Sequence, residues 1–203
     1  KDYGDKLIIP GMVDLHVHAP QYAFRGMCMD LELMDWLNQY TFPEEEKYTN
    51  LDYAEKAYSI FTKALKNSAT TRACIFATRH REATVLLMEL MEKTGLVSYV
   101  GKVNMDREAS EALIEESAEA SAYNTFGWIN SVNNKFQNTK PILTPRFIPC
   151  CTDELMEELK QIQMTYGIPV QSHLSESPGE IEFVKFLRPN NEFYGDAYND
   201  YDL

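Results

Sequence analysis

Cysteine is scarce in this chain. Its 203 residues include four, Cys28, Cys74, Cys150 and Cys151, and none stands in a CxxC pair. A thiolate zinc site needs a tetrahedral set of ligands, which these scattered positions do not offer. Adjacent cysteines such as Cys150 and Cys151 rarely bond each other. With no signal-peptide pattern visible, the expectation is free thiols in a reducing cytoplasm. No apolar run approaches the ~20 residues of a membrane span. Positive charge is also in short supply: 19 Lys and Arg against 31 Asp and Glu give a net charge of −12. That balance argues against nucleic-acid backbones and anionic membranes as partners, because both need a basic face. A single neutral base stays open as a ligand, since a pocket can be locally positive on an acidic protein. Finally, no glycine-rich phosphate loop follows the first predicted strand, which argues against a nucleotide-binding doubly wound fold.

What is present is ordinary globular material, 44% hydrophobic and 25% charged, and it alternates between two kinds of segment. Leu7–Ile9 reads as a strand fragment and Met12–His18 as a strand. Leu51–Lys66 has helical periodicity. Thr71–Thr78 reads as a buried strand. Ala83–Lys93 reads as a helix stopped by Gly95. Val97–Met105 is a third strand, Ser110–Phe136 a long helical stretch and Pro141–Phe147 a fourth strand. Thr152 caps a helix that runs to Tyr166 and ends at Gly167. Pro169–His173 is a fifth strand and Gly179–Leu187 a short helix. Five alternations without a linker imply a parallel sheet with helices outside it, either a doubly wound sheet or a (β/α) barrel. Five βα units cannot close an eight-stranded barrel.

Asp14-Leu15-His16-Val17-His18 carries the sharpest chemical signal. Residues two apart in a strand share a face, so His16 and His18 project together at a C-terminal strand end. Barrel active sites are built at that end, and two imidazoles converging there suit zinc. His173 occupies an equivalent position on the fifth strand. His80 also follows a strand, but its basic Arg-His-Arg setting reads better as a solvated loop. Glu176, three residues after His173, can turn back over the same mouth and move protons beside an activated water. The competing reading makes it a helix N-terminal carboxylate, with Ser175 or Ser177 as cap.

Segments of the chain resemble, in order, the guanine deaminases of the amidohydrolase superfamily. They are Pro10–Gly26 with its HAPQY, Trp36–Pro43 (WLNQYTFP), Val100–Asp106 (VGKVNMD), Thr144–Phe147 (TPRF) and Gln171–Glu176 (QSHLSE). The resemblance covers nearly the whole chain. It implies an α/β fold, a (β/α)8 TIM barrel of which about the first five βα units are present. Residues 10–203 would be this partial barrel, and residues 1–9 the remnant of a small β-sandwich. It implies that His16, His18 and His173 bind one zinc ion (iron shares such ligands) and that Glu176 shuttles protons. Gln21 and Arg146 would hydrogen-bond guanine, with Phe147 and Trp36 packed on the purine plane.

Each assignment has a plainer counterpart: a loop residue for Gln21, a satisfied ion pair for Arg146, core packing for Trp36. Lys102, inside the third strand, is left out of the metal site. The implied activity is zinc-dependent hydrolysis of guanine to xanthine and ammonia by a cytoplasmic homodimer, with a small purine as its only expected partner. Tyr194, Tyr198 and Tyr201 look exposed enough to serve an interface. Rival substrates within the superfamily are another purine, a pterin, an adenosyl compound or a triazine. A non-catalytic barrel fragment is the rival from another class. Relatives carry a further His and a metal-binding Asp on later strands, so a protein ending at Leu203 is expected to bind metal weakly and to be inactive.

Overall fold

Every strand pairing in the computed structural model, which describes residues 1–203, is parallel, and neighbours in space follow neighbours in sequence. β1 (Met12–His18), β2 (Thr70–Phe76) and β3 (Val97–Gly101) lie side by side. β4 (Val103–Asn104) continues β3 past a break at Lys102, β5 (Thr139–Pro141) pairs β3, and β6 (Thr144–Pro145) pairs β4. A bridge from Leu143 to Val170 adds a fifth strand position. A doubly wound sheet reverses its strand order at a switch point. This one never reverses, so the arc is part of a barrel wall.

The helices coat the outside of that arc. α1 (Leu33–Trp36) and α2 (Phe42–Glu46) follow β1 and lie at the mouth. α3 (Leu51–Lys66), α4 (Arg81–Thr94), α5 (Ala118–Val132) and α6 (Asp153–Tyr166) connect the strands, and α7 (Pro178–Leu187) and α8 (Asp196–Asn199) come last. Their ends have local causes. The Asn50 side chain accepts from the amides of Asp52 and Tyr53 to start α3, and Thr152 accepts from Leu155 to start α6. Gly95 and Gly167, at φ 77° and 60°, end α4 and α6 in the left-handed region. α3 buries Ala54, Tyr58, Phe61 and Leu65, one stripe at helical spacing.

The main core joins that stripe to Ile75, Leu87, Met88, Trp128, Leu155 and Leu159. A smaller core sits at the C-terminal strand ends and contains Leu33, Leu37, Phe42, Phe76, Val103, Met105 and Phe147. Strands and helix stripes bury the first; chain segments folded over the mouth bury the second.

Several expectations are corrected. Leu7–Ile9 forms no strand and is exposed. The predicted third strand breaks because Lys102 turns inward to an ion pair with Glu115 (2.7 Å). Glu115 must face that lysine, so residues 110–117 form a turn-rich segment, and helix begins only where Ser117 caps α5. The fourth predicted strand is split, and Pro169–His173 contributes a single bridge. Tyr201 is buried, and Tyr194 and Tyr198 are half-buried and packed against the main core.

Candidate active site

β1 delivers His16 and His18 to the mouth, and the segment after Val170 delivers His173. The His16 ring centroid lies 5.2 Å from that of His18 and 4.7 Å from that of His173. One ring nitrogen from each falls within 4.8 Å of the others. Phe76, at the end of β2, forms the floor, stacked on His18 at 4.4 Å.

The tautomer of His173 is set by its partner. Its Nδ1 lies 2.6 Å from the carbonyl oxygen of Arg146. A carbonyl only accepts, so Nδ1 carries the proton and Nε2 presents a lone pair. That Nε2 faces Nε2 of His18 at 2.8 Å, while Nδ1 of His18 is buried without a partner. Burial pushes His173 down to about 3, and drives His18 well below the usual histidine range with help from His173 and Arg146. His16 is lowered by burial against the opposing charge of Asp14. All three rings are therefore neutral at pH 7, the form in which imidazole ligates a metal. The donor set fits a divalent transition metal, with a backbone carbonyl orienting His173 in the manner common for metal-bound histidines. Tyr198, expected at the surface, instead donates to the His173 carbonyl (2.6 Å) and pins the backbone beneath the ring.

The histidines open onto a cavity of about 550 Å³, also lined by Gln21, Trp36, Arg146, Phe147 and Glu176. All eight residues singled out in the sequence thus meet at one site. Arg146 is 2% exposed; its Nη1 lies 3.0 and 2.9 Å from the two carboxylate oxygens of Glu45, and its guanidinium lies over Phe42 at 5.1 Å. The ion pair and the cavity position coexist rather than compete. Burial, the largest single influence, lowers the Arg146 pKa, but Glu45, Cys150 and Glu176 together outweigh it, so the net shift is upward. Trp36 both packs on Phe24 at 5.5 Å and lines the cavity, its Nε1 donating to the Met27 carbonyl.

Glu176 stands outside α7. Ser177 is the cap, in a capping box with Glu180. Ser175, at φ 55°, turns the chain so that Glu176 lines the cavity. Partial burial and then Glu180 lift the Glu176 carboxyl above the usual carboxylate range, with Arg146 opposing. Lys102 is absent from the cavity wall, being paired with Glu115. His80 is half-buried rather than solvated. Its Nδ1 lies 3.0 Å from Thr78 Oγ1, and burial, ahead of Arg79, pushes it down to about 4. The sequence analysis gave Glu45 and Phe42 no role and placed Tyr198 at an interface rather than behind the site. The only signal for the first two was Pro43 followed by three glutamates.

Three imidazoles at the C-terminal mouth of a parallel barrel wall make a cluster that could hold a metal ion. The amidohydrolase family matches residues 7–200, and the chain belongs to that family. It is 42% identical to the guanine deaminase of Rattus norvegicus over 200 residues, 98% of this chain and 44% of that protein. The crystal structure of guanine deaminase from C. acetobutylicum, with guanine bound in its active site, superposes at a TM-score of 0.93 with 47% identity. That match covers 96% of this chain and 46% of the other. A triazine hydrolase variant superposes at a TM-score of 0.75 over 95% of this chain and 45% of its own, with 13% identity, a likeness of fold alone. The chain spans about half the length of the curated relatives it matches. No helix is long and apolar enough to cross a membrane.

Proposed function

We propose that the protein carrying this chain is a zinc-dependent guanine deaminase. The observation that carries the reading is the convergence of three neutral histidines with Arg146, Gln21, Phe147 and Glu176 on one cavity. Its size suits a small planar ligand. Guanine presents O6 and N7 as acceptors, and a guanidinium fork matches such an edge. Gln21 adds an amide, and Phe147 and Trp36 offer aromatic surface to the purine plane. Satisfying the polar edge is necessary, because a buried acceptor left unpaired costs binding.

Zinc held by His16, His18 and His173 would bring the pKa of a water toward ~7. The chain's own contribution to the chemistry is Glu176. Its carboxylate accepts a proton from the attacking water as the new C–O bond forms at the carbon bearing the amine. It returns that proton to the adjacent ring nitrogen, then takes the proton of the newly formed hydroxyl and passes it to the departing amine as the C–N bond breaks. Guanine and water go in; xanthine and ammonia come out. The raised carboxyl suits a group that must both take and give a proton.

The same proposal assigns residues 10–203 to the barrel and residues 1–9 to a neighbouring small β-sandwich, supported by the exposed Leu7, Ile8 and Ile9. It includes a homodimer in a reducing cytoplasm, where the four free cysteines would stay reduced.

The test is ammonia release from guanine, measured on this chain and on the longest natural protein that contains it, with zinc supplied and a chelator control. Chelator-sensitive release from guanine in preference to adenine supports the reading. A zinc-loaded longest form that releases no ammonia from guanine overturns it.

A further inference from the structure

We propose that Glu45, assisted by Phe42, positions the guanidinium of Arg146 and so sets a preference for purines carrying a 6-oxo group. The inference rests on the reading of Arg146 as a guanine contact. Three observations carry it. Glu45 is fully buried, yet both its carboxylate oxygens bond one nitrogen, Nη1 of Arg146. Phe42, also buried, supports the same guanidinium from its ring face. No protein group accepts from Nε or Nη2, and Arg146 lines the cavity. An arginine held this way has one edge occupied and its plane fixed, which leaves the remaining donors for a ligand.

The local sequence explains how Phe42 and Glu45 come to face Arg146. Between α1 and α2 the backbone opens into a π turn over Leu37–Thr41, closed by Phe42 N–H to the Leu37 carbonyl. Pro43 lacks an amide hydrogen, and its ring would clash with the carbonyl four residues back in a regular helix. The wider turn relieves that clash. One extra residue in the turn rotates α2 by about 100° relative to a continuous helix. Leu33 and Trp36 before the turn and Leu37 at its start line the cavity, and Phe42 and Glu45 hold Arg146 from after it. Carboxylate, ring and guanidinium are one built unit spanning α2 and the end of β6.

The experiment measures binding of hypoxanthine and of unsubstituted purine to the zinc-loaded longest natural protein containing this chain, by calorimetry. Hypoxanthine has the 6-oxo group, purine lacks it, and neither carries a 2-amino group to lose. The parent protein is expected to prefer hypoxanthine. Glu45→Gln is expected to weaken hypoxanthine roughly tenfold and purine little, because a reoriented fork loses its charged hydrogen bond to O6, the acceptor that purine lacks. In turnover, KM for guanine rises by a similar factor while kcat falls less. If Glu45→Gln fails to fold, Glu45→Asp, which keeps the charge but withdraws it by one methylene, is read the same way. A folded variant with the parental hypoxanthine-to-purine ratio overturns the Glu45 inference and leaves the Arg146 reading intact. A parent protein without any preference overturns both.

Discussion

The barrel wall and its mouth are built by different rules. In the wall, helix stripes and strand faces bury apolar side chains at regular spacing, and caps such as Asn50, Thr152, Gly95 and Gly167 sit where the chain must start and stop. At the mouth the backbone is irregular: a 3-10 turn at Pro20–Phe24, a π turn at Leu37–Thr41, left-handed residues at Cys28 and Ser175. Charge there is buried, in the pairs Arg146–Glu45 and Lys102–Glu115. Regular elements bury a core at low cost in strain; irregular ones let side chains from distant segments meet at one point. The wall supplies stability and the mouth spends some of it on placement.

Substitutions can separate the two. The largest contrast is expected from Glu176→Gln, which should lower kcat about 10³-fold with an unchanged melting temperature, checked by ammonia release and thermal unfolding. Lys102→Met should do the opposite. It leaves the Glu115 carboxylate buried without its cation, at a cost of roughly 3–5 kcal/mol, read in a denaturant titration. Leu87→Ala, in the main core, should cost about 2–5 kcal/mol and leave the preference for guanine over adenine as it was. Thr152→Ala, which removes the cap of α6, should cost about 1 kcal/mol by the same titration.

A further contrast concerns pH. His80 is held at about 4 when folded, below its ordinary 6.5. Between those values the unfolded chain binds more protons, so stability is fully present above about 6.5 and is lost as pH falls toward 4. His80→Gln should flatten that part of the melting-temperature profile. An unchanged slope would move the acid sensitivity to other groups.

Legibility divides along the same line. α3 is legible in the sequence to its last residue, and α6 is bounded by its cap and terminal glycine, because periodicity and end chemistry are local properties. The histidine pair is legible because alternation along a strand is local too. His173 and Glu176 are placed by their position after a strand-like segment, although that segment makes only one bridge. The helix from Leu33 to Glu46 and its π turn are not legible, since a proline inside helical spacing signals a break rather than a wide turn. The helical pattern over 110–136 begins too early because nothing local shows that Glu115 turns inward.

The sequence by itself determined the succession of strands and helices, the strand faces of His16 and His18, and the acidic, cysteine-poor composition. Only the tertiary structure decided that the strands never reverse order, that Arg146 is both ion-paired and part of the cavity wall, and that Tyr198 and Glu45 lie behind the site residues. The reason is physical. Periodicity and capping depend on neighbours a few residues away. The Arg146–Glu45 pair joins residues 101 apart in the chain, and only packing brings them together.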